Sequence, residues 1–298
     1  MTAVVFALPG NEALAAALAD RLQIEAGAMT LRSFPDGETY LRFDTPVAGR
    51  PVLLACSLHD PDRKTMSLLF AAATARELGA TTVGLVAPYL GYMRQDQRFL
   101  DGEAITSAIF AKLLSRHIDW LVTIDPHLHR WQSLDEIYSV PSAVVAAAPL
   151  LAAWIRLHVE APVLIGPDTE SAQWVSAVAH IAGAPHTVLE KTRHGDREVT
   201  VSIPDLELLH NRTPVLVDDI ISTARTMIAA IQQVSGHGLR PPVCVAVHAI
   251  FSDDAHTALR AAGAAQVVTT NTVPHASNAI DVYAAIAGPV AAFLAEHT

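Results

Sequence analysis

Residues 213–227 read Thr-Pro-Val-Leu-Val-Asp-Asp-Ile-Ile-Ser-Thr-Ala-Arg-Thr-Met: an apolar run, two adjacent acids, hydroxyl residues and then a helical pattern. In open α/β sheets ligands bind at the carboxyl edge of the strands, where such a loop falls. Backbone N–H groups and the hydroxyls of Ser222, Thr223 and Thr226 offer a cradle for phosphate, and the helix start adds partial positive charge. Asp218 and Asp219 supply acceptors for vicinal hydroxyls. The alternative is that Ser222 or Thr223 only caps the helix and the acids are solvated. The order strand, acids, hydroxyls, helix favours sugar-phosphate binding.

Other residues carry chemistry of the same kind. Lys191 and Arg193, two positions apart in an extended segment, face the same side and suit one phosphate chain, although composition alone favours an ordinary charged hairpin. Arg94 and Gln95 follow a strand and a Pro-Tyr-Leu-Gly-Tyr turn, with a guanidinium that grips phosphate bidentately and an amide that reads a base or ribose; a plain polar helix start is the alternative. Phe34, Asp36 and Glu38 flank a Pro-Asp-Gly turn, as in a simple β-hairpin. In Asp125-Pro126-His127-Leu128-His129 the two imidazoles share a face, but no third transition-metal ligand stands nearby. Asp168 ends another apolar run, and its carboxylate is a hard oxygen donor suited to Mg²⁺.

The elements that must position these residues alternate. Short apolar runs at 4–8, 52–55, 83–87, 121–124, 163–165, 215–217, 243–247 and 267–269 are separated by amphipathic stretches such as 64–78, 104–114, 172–182 and 226–234. That rhythm predicts an α/β protein with mostly parallel sheets. Residues 141–162 read as two helical pieces with turn residues and divide the chain into two similar halves, without a repeat visible in the sequence. Residues 186–206 read as two extended segments joined by a polar flap.

Composition narrows the function. The net charge of −10 disfavours a general nucleic-acid binder, which needs a basic face, so any phosphate is bound locally. Cys56 and Cys244 lie far apart with no redox or metal spacing and read as core thiols of a reducing compartment. Residues 1–10 lack a basic leader, and the apolar stretch 143–155 is broken by Pro149 and too short to span a bilayer, so a cytoplasmic protein without membrane partners is expected.

Phe34-Pro35-Asp36-Gly37-Glu38, Pro88-Tyr89-Leu90-Gly91-Tyr92-Met93-Arg94-Gln95-Asp96, Asp125-Pro126-His127, Gly166-Pro167-Asp168, Glu190-Lys191-Thr192-Arg193, residues 218–226 and Thr270-Asn271-Thr272 occur in that order. Together they resemble the motifs of the ribose-phosphate pyrophosphokinase family, at similar separations and over nearly the whole chain. The resemblance implies two type I phosphoribosyltransferase-like domains related by a pseudo-twofold, residues 1–142 and 143–298, the second carrying the ribose 5-phosphate loop. It implies Mg²⁺-dependent transfer of the β,γ-diphosphoryl group of ATP to the C1 hydroxyl of ribose 5-phosphate, giving phosphoribosyl diphosphate and AMP. By the same resemblance Lys191 and Arg193 are catalytic, and Phe34, Asp36, Glu38, Arg94, Gln95 and His127 bind ATP. Asp218, Asp219, Ser222, Thr223, Ala224, Arg225 and Thr226 hold ribose 5-phosphate, and His127 and Asp168 attend the metal. The Phe34 hairpin of such proteins reaches a neighbouring subunit's nucleotide site, which implies a homo-oligomer with a dimer as the minimal unit and a tetramer or hexamer as larger forms.

Two alternatives stand beside that reading. A phosphoribosyltransferase that consumes the diphosphate would share the loop, but the nucleotide motifs of the first half argue against it. A catalytically silent regulatory or nucleotide-sensing paralogue is opposed by the retention of Lys191, Arg193, Asp218 and Asp219. Departures from the family pattern are Arg225, where most members have Gly, and Gln97 and Phe99 just beyond the Arg94-Gln95 pair. Thr169-Glu170-Ser171 and Gly195-Asp196-Arg197-Glu198 look more like archaeal-type members.

Overall fold

A computed structural model describes residues 2–194, 198–202 and 206–296. The chain divides into two compact units, residues 1–145 with 283–298, and residues 146–282. The first unit contains β1 (Val4–Ala7), α1 (Glu12–Leu22), β2 (Glu25–Ala26), β3 (Met29–Ser33), β4 (Thr39–Phe43), β5 (Pro51–Ala55) and α2 (Pro61–Glu77). It continues with β6 (Thr82–Ala87), α3 (Thr106–Ser115), β7 (Trp120–Ile124) and β8 (Ser142–Val145). Six parallel strands form its sheet in the order β2-β1-β5-β6-β7-β8, and β3 and β4 make a separate antiparallel hairpin.

The second unit runs α4 (Ala148–His158), β9 (Pro162–Gly166), α5 (Ala172–Ala182), β10 (His186–Val188), β11 (Glu190–His194), β12 (Glu198–Ser202), α6 (Leu206–Leu209), β13 (Thr213–Ile221), α7 (Arg225–Gly236), β14 (Val243–Ala249), α8 (Ala255–Ala261), β15 (Gln266–Thr270) and β16 (Asn278–Ile280). Its parallel sheet has the order β10-β9-β13-β14-β15-β16, with β11 and β12 as the separate hairpin. Strand for strand the two units share one wiring: β9 corresponds to β1, β11–β12 to β3–β4, and β13 to β5.

The central strands form because their residues are apolar on both faces, the pattern of a parallel sheet covered by helices. Every residue of β5, β7 and β14 is buried. Pro61 opens α2 at a position where its missing N–H costs nothing, and Gly183, at φ 67°, ends α5 in the left-handed cap.

Residues 141–162, expected as two helical pieces, are instead the edge strand β8 followed by α4. Because β8 pairs with β7, the division falls after Val145 and not at residue 142. The last helix, α9 (Tyr283–Glu296), returns to the first unit, where the Phe293 ring stacks on Trp120 at 5.1 Å. That return withdraws residues 283–298 from the expected second domain. Among the described residues no helix is long and apolar enough to cross a membrane.

Candidate functional site

Strands β9 and β13 lie side by side in parallel, with Leu216 opposite Ile165, so their carboxyl ends bring Asp168 toward Asp218 and Asp219. Asp168 opens a short turn, its carboxylate accepting from the Ser171 amide at 3.3 Å while the Ser171 hydroxyl donates to the Asp168 carbonyl at 2.6 Å. The amide of Asp219 donates to the Asp218 carboxylate at 3.0 Å. Burial pushes the Asp218 carboxyl well above its ordinary range, and the like charges of Asp219 and Asp168 push it further. Three acids at one strand edge repel, and a diol or a cation bound among them relieves that repulsion.

The loop beyond the acids leads from β13 into α7. The strand runs on through Ile221, and the chain enters α7 at Ala224, which is buried and takes the left-handed conformation at φ 59°. The N-cap position of α7 falls on Ala224, which has no side-chain acceptor to cap the helix start. Amide bonds from Ile250 to the Ile221 carbonyl (3.0 Å) and from Ser252 to the Ser222 carbonyl (3.3 Å) pin the loop to the segment after β14. Thr223 and Arg225 are exposed, and Ser222 and Thr226 are half-buried. The positive φ for which glycine is suited therefore falls on Ala224, not on Arg225, which is simply the first helical residue.

Lys191 and Arg193 fall on β11, opposite Val201 and Val199 of β12, and residues 195–197 of the bend lie outside the described residues. In the first unit the β3–β4 hairpin turns through residues 34–38: the Gly37 amide donates to the Phe34 carbonyl (2.9 Å), the Phe34 amide to Glu38 (2.7 Å), and Gly37 takes φ 93°. Arg32 lies over the Phe34 and Tyr40 rings at 4.8 and 4.2 Å, holding the 40% exposed Phe34 from behind. Neither Arg32 nor Tyr40 was marked by a motif; their direct cross-strand pairing is what joins them to Phe34.

Arg94 is exposed at the end of a turn, and Gln95 accepts the Ser107 amide on its carbonyl at 3.2 Å. Next to them Asp96 is buried and meets Arg130 at 3.8 Å, a pairing that sequence spacing did not reveal. His127 and His129 follow β7 with their rings stacked at 4.3 Å. His127 belongs to the first unit and Asp168 to the second.

Among the described residues no three His, Cys, Asp or Glu side chains form a metal cage. Mg²⁺ does not require one, since it is held through one or two carboxylates together with water and substrate phosphate. Asp168 offers one carboxylate of that kind.

The fold and this edge define an α/β protein of the phosphoribosyl transferase class: a family model described as the phosphoribosyl transferase domain matches residues 133–285. A second, the N-terminal domain of ribose phosphate pyrophosphokinase, matches residues 3–117. A ribose-phosphate pyrophosphokinase of Sulfurisphaera tokodaii is 34% identical over 255 residues, covering 84% of this chain and 86% of that one. The enzyme of the same name from Methanothermobacter thermautotrophicus is 32% identical over 285 residues, covering 95% and 98%. The crystal structure of phosphoribosylpyrophosphate synthetase from Mycobacterium smegmatis superposes with a TM-score of 0.86 at 26% identity, covering 99% of this chain and all of that one. The chain belongs to the ribose-phosphate pyrophosphokinase family.

Proposed function

We propose that the chain transfers the β,γ-diphosphoryl group of ATP to the C1 hydroxyl of ribose 5-phosphate, releasing AMP. The observation that carries this reading is the edge of the second unit, where crowded acids adjoin a loop whose helix start has no side-chain cap. Asp218 and Asp219 accept the ribose hydroxyls, and Ser222, Thr223, the backbone at Ala224 and Arg225, and Thr226 hold the 5-phosphate. Lys191 and Arg193 neutralise the diphosphoryl group in flight, work done by fixed cations without a covalent intermediate. His127 and Asp168 would attend Mg²⁺, which would supply neutralisation of the polyphosphate charge and Lewis acidity toward the β-phosphorus.

Phe34, backed by Arg32 and Tyr40, stacks on adenine, with Asp36 and Glu38 at the base edge and Arg94 and Gln95 on phosphate and ribose. The hairpin serves a neighbouring subunit, so a homo-oligomer of at least two chains is the active form, and the cytoplasm, where both substrates occur, is its place. The test is AMP release from ATP and Mg²⁺ with and without ribose 5-phosphate, in parent and Lys191→Ala proteins. AMP formed only with the sugar and lost in the variant supports the reading. Absence of turnover with either substrate still bound sinks it in favour of a silent paralogue.

A further inference from the structure

The first unit carries a cleft of ≈ 560 Å³ beneath the hairpin that presents Phe34, Asp36 and Glu38. Leu8 and Pro9 after β1, Leu31, Ser33, Gly37 and Thr39 of the β3–β4 hairpin, and the first turns of α2 line it. In the shared wiring these are the counterparts of the segment after β9, the β11–β12 hairpin and the loop into α7, the three elements that carry Asp168, Lys191 with Arg193, and residues 218–226. The likeness reaches the backbone, since α2, like α7, is entered through a left-handed residue, Asp60 at φ 51° against Ala224 at 59°. Both preceding strands contain Pro-Val-Leu, residues 51–53 and 214–216, and on that alignment Ala55 and Cys56 stand where the second unit has Asp218 and Asp219.

The cleft has therefore lost the acid pair but holds a cation of its own. Lys64 is half-buried, with Nζ 2.9 Å from the Ser57 carbonyl and 3.0 Å from the His59 ring nitrogens, and among the described residues no carboxylate is paired with it. The neighbouring acids are engaged, Asp60 by Arg63 at 3.5 Å and Asp62 by the Tyr92 hydroxyl. Burial lowers the Lys64 pKa, and the nearby Asp60 charge opposes that shift in part. The volume suits a small ligand. The walls combine hydroxyls of Ser33, Thr39 and Ser67 and the apolar Leu8, Leu31 and Met66 with two acids, Asp60 and Asp62, and two cations, Arg63 and Lys64.

We infer that this cleft is a second binding site, in which Lys64 holds the phosphate of a 5-phosphorylated pentose, either free or within a mononucleotide. Without acids at residues 55 and 56 it binds and does not transfer. The inference rests on the proposed function only for the likeness of the two sites.

The experiment is calorimetric titration of the full chain with ribose 5-phosphate and separately with AMP, in parent, Lys64→Gln, Lys64→Arg and an Asp218→Asn/Asp219→Asn double variant. The expected result is a binding event weakened at least tenfold by Lys64→Gln and kept by Lys64→Arg and by the double variant, beside a separate ribose 5-phosphate event that the double variant loses. Ribose 5-phosphate showing the Lys64-dependent event identifies the free sugar, and AMP alone the mononucleotide. Should Lys64→Gln fail to fold, Thr39→Glu sets a carboxylate in the cleft wall and must abolish the same event. Binding of both ligands that is indifferent to Lys64 and Thr39 overturns the inference. Loss in the double variant alone does so while sustaining the proposed ribose 5-phosphate loop, and loss in Lys64→Gln alone leaves the cleft standing and that loop refuted.

Discussion

Arg225 tests how the phosphate loop is built. Because the left-handed residue is Ala224, replacing Arg225 by glycine relieves no strain and only loosens the first helical position. Helix propensity sets that loss at up to ~1 kcal/mol, and for a domain of this size 1 kcal/mol moves the melting temperature by about 2–4 °C. At Ala224 a glycine removes a left-handed penalty of about 1–2 kcal/mol. Against that gain stand ~0.5–1 kcal/mol of extra chain entropy and about 0.8 kcal/mol for one buried methyl group, so Ala224→Gly is close to neutral. A β-branched side chain there has no comfortable rotamer and costs more than about 2 kcal/mol. The assay is thermal and urea unfolding of Arg225→Gly, Ala224→Gly and Ala224→Val, with calorimetric binding of ribose 5-phosphate. Arg225→Gly is expected to melt slightly lower and to lose no more than about tenfold in affinity, the worth of one exposed ionic contact. A higher melting temperature or a much tighter complex for Arg225→Gly, or a parent-like Ala224→Val, refutes the reasoning.

Gly84 faces Trp120 across the β6–β7 pair, and a methyl group on it would run into the indole ring; Gly84→Ala is expected to cost about 1–3 kcal/mol by overpacking in urea titration, partly restored by Trp120→Phe. Burial, and then the Lys64 charge, lower the His59 pKa from 6.5 to about 4. The unfolded chain thus binds more protons between those values, so the contribution is full above pH 6.5 and is lost as pH falls through about 4. Solvent screening of the partly exposed ring reduces it to about 1–2 kcal/mol, and a His59→Gln variant whose acid-side stability slope matches the parent's contradicts the assignment. Asp218→Asn removes a buried charge that burial and two acidic neighbours disfavour. It is therefore expected to raise the melting temperature at neutral pH while lowering kcat/KM for ribose 5-phosphate more than tenfold, and a lower melting temperature counts against the crowding.

What the sequence disclosed follows from how far each signal reaches along the chain. Central strands such as β5 and β13 announce themselves because burial on both faces leaves an unbroken apolar run. The edges do not: β2 has two exposed residues, and the mixed Ala and Val of β8 lead without a turn signal into α4, so it read as helix. Nothing local in α9 states that it packs with the first unit, because stacking of Phe293 on Trp120 is a contact across more than half the chain. At the site, the order of residues 218–226 was legible since chemistry and element order coincide there. Convergence of Asp168 on Asp218 needed the adjacency of β9 and β13, and the left-handed conformation of Ala224 has no signal in its residue type, since alanine ordinarily avoids it.

The shared wiring of the two units also explains how chemistry was placed by side chain and not by fold. Each unit has a parallel sheet, a separate hairpin and a left-handed helix entry. At the strand end one unit keeps Asp218 and Asp219, and the other buries Ala55 and Cys56. Burial pushes the Cys56 thiol up to about 12, which leaves it protonated at neutral pH and without nucleophilic character. Restoring acids by Ala55→Asp would place a charge at a fully buried position with no partner, a cost of several kcal/mol. The closed packing beneath the strand end of the first unit excludes the carboxylates that the second unit leaves partly open to solvent.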